Sequence, residues 1–271
     1  MAGKNKGEMT FLEHLEELRW HFIRSIVAVV LAAIVIFIFK NIVFDRIIFG
    51  PRTPDFITSR LLCKLGKIIN SQKLCINSSP EQLQNIHMTG QFMTHMKISL
   101  IGGLVLAFPY IFYEFWRFVT PALHENERRV SKGAIFYSSL LFIIGVLFGY
   151  YIISPLSINF LENYRVSDKV INEINLMSYI SIIATVVLSS GVLFELPVII
   201  YFLSKIGIIT PEFLKKYRKH SIVVILTIAA IITPPDVFSQ ILVALPLIAL
   251  YEISISISRR IRRKQQEKLA G

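Results

Sequence analysis

Long apolar runs separated by polar joints make up this chain. Six such segments recur: His21 to Phe39, Ile98 to Phe115, Gly133 to Leu156, Leu176 to Leu203, Ser221 to Ile232 and Val237 to Ile257. A helix crossing a hydrocarbon core of about 30 Å needs about 20 residues. The first four segments reach that length, and the sixth does so despite Gln240 and Glu252. The fifth, at about 12 residues and about 1.5 Å each, spans only about 18 Å. Either Tyr217 to His220 lengthen it by snorkelling or the bilayer thins around it. Upstream of the first span, Thr10-Phe11-Leu12-Glu13 reads as a capping box. Phe11, Leu12, Leu15, Leu18 and Phe22 then share one helical face. This predicts a short amphipathic interfacial helix over residues 10–20, followed by the spans of an all-α membrane protein that is one six-span domain over residues 1–271.

The joint from Pro109 to Lys132 departs from the pattern, because it is neither short nor simply polar. It carries Phe112, Tyr113, Phe115, Trp116 and Phe118, then Pro121, and then Glu125, Glu127, Arg128 and Arg129. Aromatic rings with polar rims suit a membrane–water interface, and exposed acids beside them suit a cationic partner. This joint is expected to be a receptor surface.

Composition strengthens the membrane reading. The 271 residues are 54% hydrophobic and 17% charged, against about 25% charged in soluble domains. The net charge of +11 is clustered: Arg259, Arg260, Arg262, Arg263, Lys264 and Lys268 crowd a basic tail over 258–271. That clustering fits orientation in a bilayer and contact with anionic lipid rather than nucleic-acid binding. Lys and Arg counted over the short joints place both termini in the cytoplasm. Met1 to Glu8 lacks the order of regions that marks a cleaved signal peptide. The first outer loop, residues 41–91, holds the only cysteines, Cys63 and Cys75. In an oxidising compartment these form a disulfide; otherwise they are free thiols. With His87 they are too few for a metal site.

Three polar features are candidates for function. Glu195 lies inside the fourth span, where a carboxylate is costly. It has either a functional role or a helix-packing role as a neutral acid, and Pro197 is expected to kink the helix beside it. Thr233-Pro234-Pro235-Asp236 forms a turn whose Asp236 can cap the sixth span, and Gln240 can bond to a partner helix. Glu17 with Arg19, and Glu127 with Arg128, are two acidic sites bordered by apolar residues on one side of the membrane. Carboxylates so placed can grip guanidinium groups bidentately. No G-x-S-x-G, H-E-x-x-H or Walker A motif occurs. A proton-coupled secondary transporter using Glu195 is the rival reading, although the two halves show no repeat of the kind many transporters carry.

Four motifs in order resemble the TatC family, the multispanning receptor subunit of the twin-arginine protein translocase. They are His14-Leu15-Glu16-Glu17-Leu18-Arg19; Phe115-Trp116-Arg117-Phe118-Val119-Thr120-Pro121-Ala122-Leu123 followed by Glu127-Arg128-Arg129; Phe194-Glu195-Leu196-Pro197; and Thr233-Pro234-Pro235-Asp236-Val237-Phe238-Ser239-Gln240. The resemblance implies a six-helix bundle with a concave, glove-like face and short fifth and sixth spans, in the bacterial inner (plasma) membrane. It implies a receptor with no cofactor and no catalytic role, binding Arg-Arg signal peptides of folded precursors through Glu17, Arg19, Phe118 and Glu127. Single-span partners similar to TatA and TatB are implied near Thr233 and Gln240, in a hetero-complex that also contains further copies of the chain and runs on the proton gradient. Pro51 matches a family proline and Glu195 the family's intramembrane glutamate. Glu114 stands where relatives often carry Gln: it either strengthens cation binding or pairs with Arg117.

Overall fold

The computed structural model describes residues 11–69, 75–76, 82–119, 131–170, 172–233 and 237–270. Apart from one isolated bridge between Gln84 and Asn175, the described residues form helices joined by turns. In order these are α1 (Phe11–Ile38), α2 (Ile57–Ile69), α3 (Gly90–Val119), α4 (Ser131–Phe148), α5 (Ser154–Asn163), α6 (Leu176–Leu193), α7 (Leu196–Lys205), α8 (Pro211–Lys216), α9 (Arg218–Ile232) and α10 (Val237–Ala270). A π-helical stretch, Gly149–Ile153, links α4 to α5, and another, Ile42–Ile48, follows α1.

Five helical runs among the described residues are long and apolar enough to cross a membrane: Leu15–Ile38, Gly90–Val119, Gly133–Asn163, Leu176–Lys205 and Ser239–Glu267. The predicted fifth span is α9, whose 15 residues make about 22 Å of helix. The sixth is not short, since α10 runs for 34 residues. The tail over 258–271 is its continuation as far as Ala270. There Arg262 pairs with Glu212 of α8, and Gln265 donates to the Lys205 carbonyl at 3.1 Å.

Other expectations also change. Among the described residues the segment 11–20 leads into the first span without a break, because α1 runs from Phe11 to Ile38 with neither Gly nor Pro inside it. Thr10, the expected cap, lies outside the described residues. The Pro109–Lys132 joint is not a loop at its start: α3 continues through Pro109 to Val119. The fourth span breaks after Leu193, and α7 restarts at Leu196 with Pro197 in its first turn. A proline is tolerated there, where its missing N–H has no intrahelical partner to lose.

The chain divides into two compact units. One comprises the segment ending at Ile38 with Ser99–Ser139, and the other Phe39–Ile98 with Leu140–Gly271. Between apolar helices in lipid there is little hydrophobic drive, so close van der Waals approach through small residues takes its place. In the first unit, a Cβ on Gly103 of α3 would stand 2.7 Å from the Ala33 nitrogen and 2.8 Å from the Val29 carbonyl oxygen of α1. In the second, a Cβ on Gly145 would stand 2.6 Å from the Ser190 carbonyl oxygen of α6. Here the core of Val186, Phe194, Ile200, Val243 and Leu247 is capped by hydroxyl bonds, among them Tyr251 to the Leu214 carbonyl at 2.8 Å.

Within the second unit, the loop over residues 41–91 is held by polar anchors. The buried Arg52 bonds the half-buried Glu162 at 2.7 Å, and the Arg52 guanidinium lies 5.4 Å from the Tyr179 ring centre. Tyr179 donates to the Ile48 carbonyl at 2.6 Å and Tyr150 to the Ile47 carbonyl at 2.7 Å. Pro51 is buried in the short turn Gly50–Arg52 between these anchors. Cys63 and Cys75 are joined by a disulfide.

Candidate functional site

The polar cluster of the first unit is centred on His21. On α1, residues four apart share a face, and His21 Nε2 stands 4.0 Å from Glu17 Oε1. Across on α3, Glu114 is buried at 2% exposure. A carboxylate so placed needs compensation. It is bonded by His21 Nδ1 and by the Tyr110 hydroxyl, and Arg24 Nη1 lies 3.8 Å from the same oxygen. Phe118 packs edge-on against the imidazole with ring centres 6.1 Å apart.

Of the two readings of Glu114, pairing with Arg117 is not what the structure has: the carboxylate is the buried counterpart of His21 and Arg24. The aromatic rim is likewise not all surface: Trp116 is buried and stacked on Phe112, ring centres 6.4 Å apart, whereas Phe115 and Tyr113 are exposed. Beside His21 lies an apolar cavity of about 450 Å³, lined among others by Leu18, Phe22, Ile26, Phe115 and Phe118. Glu17, with 37% of its side chain exposed, therefore adjoins an apolar hollow through His21.

Glu17 and Phe118 thus flank one imidazole. Arg19 does not join them: it is exposed, and two residues along a helix turn it about 200° from Glu17. Glu127 and Asp236 lie outside the described residues. His21 entered the sequence reading only as the start of a span, yet its place four residues after Glu17 was the signal that it could bridge.

The remaining candidates belong to the second unit. Glu195 is buried at the break between α6 and α7, where its carbonyl accepts from the Val198 and Ile199 amides. Gln240 Nε2 donates to the Leu226 carbonyl at 3.1 Å, so its amide serves α9 of the same chain. Thr233 Oγ1 donates to the Ala229 carbonyl at 2.8 Å, and the residue lines a small cleft with Ser181 and Thr185. Among the described residues no group of His, Cys, Asp and Glu has the makings of a metal site. The Arg52–Glu162 pair escaped the sequence reading because 110 positions separate its members.

Comparison with known proteins assigns this arrangement a family. The family described as Sec-independent protein translocase protein (TatC) matches residues 13–246. The chain is 47% identical to the Sec-independent protein translocase protein TatC of a Blattabacterium from Periplaneta americana, over 96% of this chain and 98% of that one. It is 35% identical to TatCy of Bacillus subtilis, over 100% and 97% respectively. Its fold is similar to a crystal structure of a twin-arginine translocase receptor, TatC, with a TM-score of 0.69 and 35% identity over 92% of this chain and 100% of that one. A second crystal structure of that receptor, in DDM, gives a TM-score of 0.70 and 37% identity over 91% and 99%. The chain therefore belongs to the TatC family, as a multi-pass membrane subunit of the twin-arginine, Sec-independent protein translocase and not an enzyme.

Proposed function

We propose that the first unit binds the Arg-Arg signal peptide of a folded precursor, with Glu17 taking a guanidinium and the hollow beside His21 taking the apolar residues that follow. One observation carries the reading: a partly exposed carboxylate adjoins, through His21, an apolar cavity edged by Phe115 and Phe118. A guanidinium followed by aliphatic side chains matches that order of surfaces. Glu114 is buried and already bonded by His21, with Arg24 beside it, whereas Glu17 keeps 37% of its side chain exposed to an incoming cation. Glu127 supplies the second carboxylate of the clamp. Arg19, turned away on α1, has no direct contact with the pair. Both termini face the cytoplasm, which puts Glu17 on the side where precursors are made.

Single-span partners of the TatA and TatB kind pack against the exposed aliphatic face of α9 and α10, where Val223, Ile231, Ile241 and Leu245 are bare. The cleft at Thr233 offers hydroxyl groups to a polar residue on such a helix. Together these subunits form the proton-gradient-driven translocase of the bacterial inner membrane.

The test uses purified protein carrying a photoreactive aromatic residue at position 115, at the edge of the hollow, offered signal peptides with Arg-Arg or Lys-Lys. Selective capture of the Arg-Arg peptide, abolished by Glu17→Lys, is the expected result. Equal capture of both peptides, or capture indifferent to Glu17→Lys, rules out the clamp.

A further inference from the structure

Helix α2 in the outer loop turns its most apolar face away from the protein. Ile57, Leu61, Leu65 and Ile68 recur at helical spacing and are 57%, 56%, 49% and 80% exposed. The face pressed to the protein is made of smaller groups: Ser59 and Gly66 are buried, and Cys63 is tied down by its disulfide to Cys75. In a helix that only packs on its own protein, the aliphatic stripe points inward. Here it points the other way, so something apolar must cover it.

Charge narrows what that is. Every charged residue of α2 is a cation: Arg60, Lys64 and Lys67 are all exposed. At about 100° per residue they occupy one border of the apolar stripe. Arg60 also bonds Asp55 at 2.9 Å. An aliphatic stripe with a basic edge is the signature of a helix lying in the headgroup region of an anionic bilayer.

The anchor of α2 sets its depth. Phe56, just before the helix, packs on Tyr150 and Tyr151 with ring centres 5.5 and 5.4 Å apart, and Thr58 bonds the Tyr151 carbonyl. These tyrosines stand about 17 residues beyond Gly133, where that span begins, or about 26 Å along a helix. That is close to the core thickness of about 30 Å, and a tyrosine pair at such a level marks the interface.

We infer that α2 is an amphipathic membrane anchor, its stripe of Ile57, Leu61, Leu65 and Ile68 sunk into the lipid boundary and Arg60, Lys64 and Lys67 on anionic headgroups. The anchor fixes the outer loop to the bilayer surface independently of peptide binding in the first unit.

The full chain is reconstituted in vesicles with an environment-sensitive fluorescent amino acid at position 61 or, as a water-facing control, at position 67. Lipids brominated on the acyl chain quench position 61 at least about twofold more than position 67, and aqueous iodide shows the reverse preference. Adding anionic lipid to zwitterionic vesicles deepens the bromolipid quenching of the probe at position 61, and the triple variant R60Q/K64Q/K67Q carrying that probe loses the added effect. Iodide reaching both positions equally overturns the anchor. Protection of position 61 without bromolipid quenching also overturns it, and loss of that protection on dilution with excess lipid then identifies a second copy of the chain as the cover.

Discussion

The first and fourth spans meet the same solvent with opposite strategies. Of the apolar window of Leu15–Ile38 the chain itself buries 11% of residues, against 50% for Leu176–Lys205. The fourth span gains its neighbours by close packing, with Gly191 set against Phe142 and with Phe194 in the core. The first leaves Phe22, Leu31 and Ile34 bare and concentrates its long-range bonding at one polar knot, His21 with Glu114. A surface kept open is one that lipid, a peptide or a partner can cover, so the proposed recognition site falls where self-packing is thinnest. The densely packed region carries the fold.

That contrast makes the second unit the place where stability breaks. Arg52→Ala removes the guanidinium bonded to the half-buried Glu162 and is expected to cost about 2–3 kcal/mol, read as a lower thermal midpoint of the detergent-solubilised protein. The double change Arg52→Met with Glu162→Leu recovers most of it; a midpoint unmoved by Arg52→Ala removes the contrast. In the first unit the expected loss is of binding. Glu17→Gln deletes a charge-assisted bond of about 1.5–3 kcal/mol, on the order of 10- to 100-fold in affinity for an Arg-Arg peptide, with the thermal midpoint unchanged. A titration showing equal affinity for wild type and variant would break the assignment.

Packing provides a smaller step. Gly145→Ala forces a methyl group to within 2.6 Å of the Ser190 carbonyl oxygen, and overpacking of this kind costs about 1–3 kcal/mol. Gly133 has nothing within 4 Å of the same added atom, and Gly133→Ala in helical conformation stabilises by about 0.5–1 kcal/mol. Opposite shifts of the thermal midpoint sharpen the comparison; shifts of one sign blunt it. Least of all, Arg263→Ala breaks an exposed pair with Glu267 at 2.9 Å and should move stability by less than about 0.5 kcal/mol, within the scatter of a melting curve.

The sequence exposes what repeats along the chain and hides what meets across it. Spans were legible because an apolar run of about 20 residues has few other uses, and the break near Pro197 because proline forfeits a donor. Residues 116–119 were left out of the second span, since aromatics beside charges suit a loop as well as the wet end of a helix; α3 runs on to Val119. The stripe of α2 was legible in its spacing but was passed over inside a loop. The partners of Glu114 and Arg52 were not legible at all, because 93 and 110 positions lie between the members of each pair. Such pairings are set by which helices neighbour each other, and no local periodicity records that.

Helix α1 has a mechanical consequence. Its 28 residues contain no glycine or proline, and at about 1.5 Å each they form a strut of about 42 Å, longer than the hydrocarbon is thick. Glu17 sits near one end of that strut with no hinge between it and Ile38. A load applied at the Glu17 end is therefore carried to the far end of the span as tilt or axial displacement of one stiff rod. Binding at Glu17, as proposed, would in this way be felt at the other end of the helix.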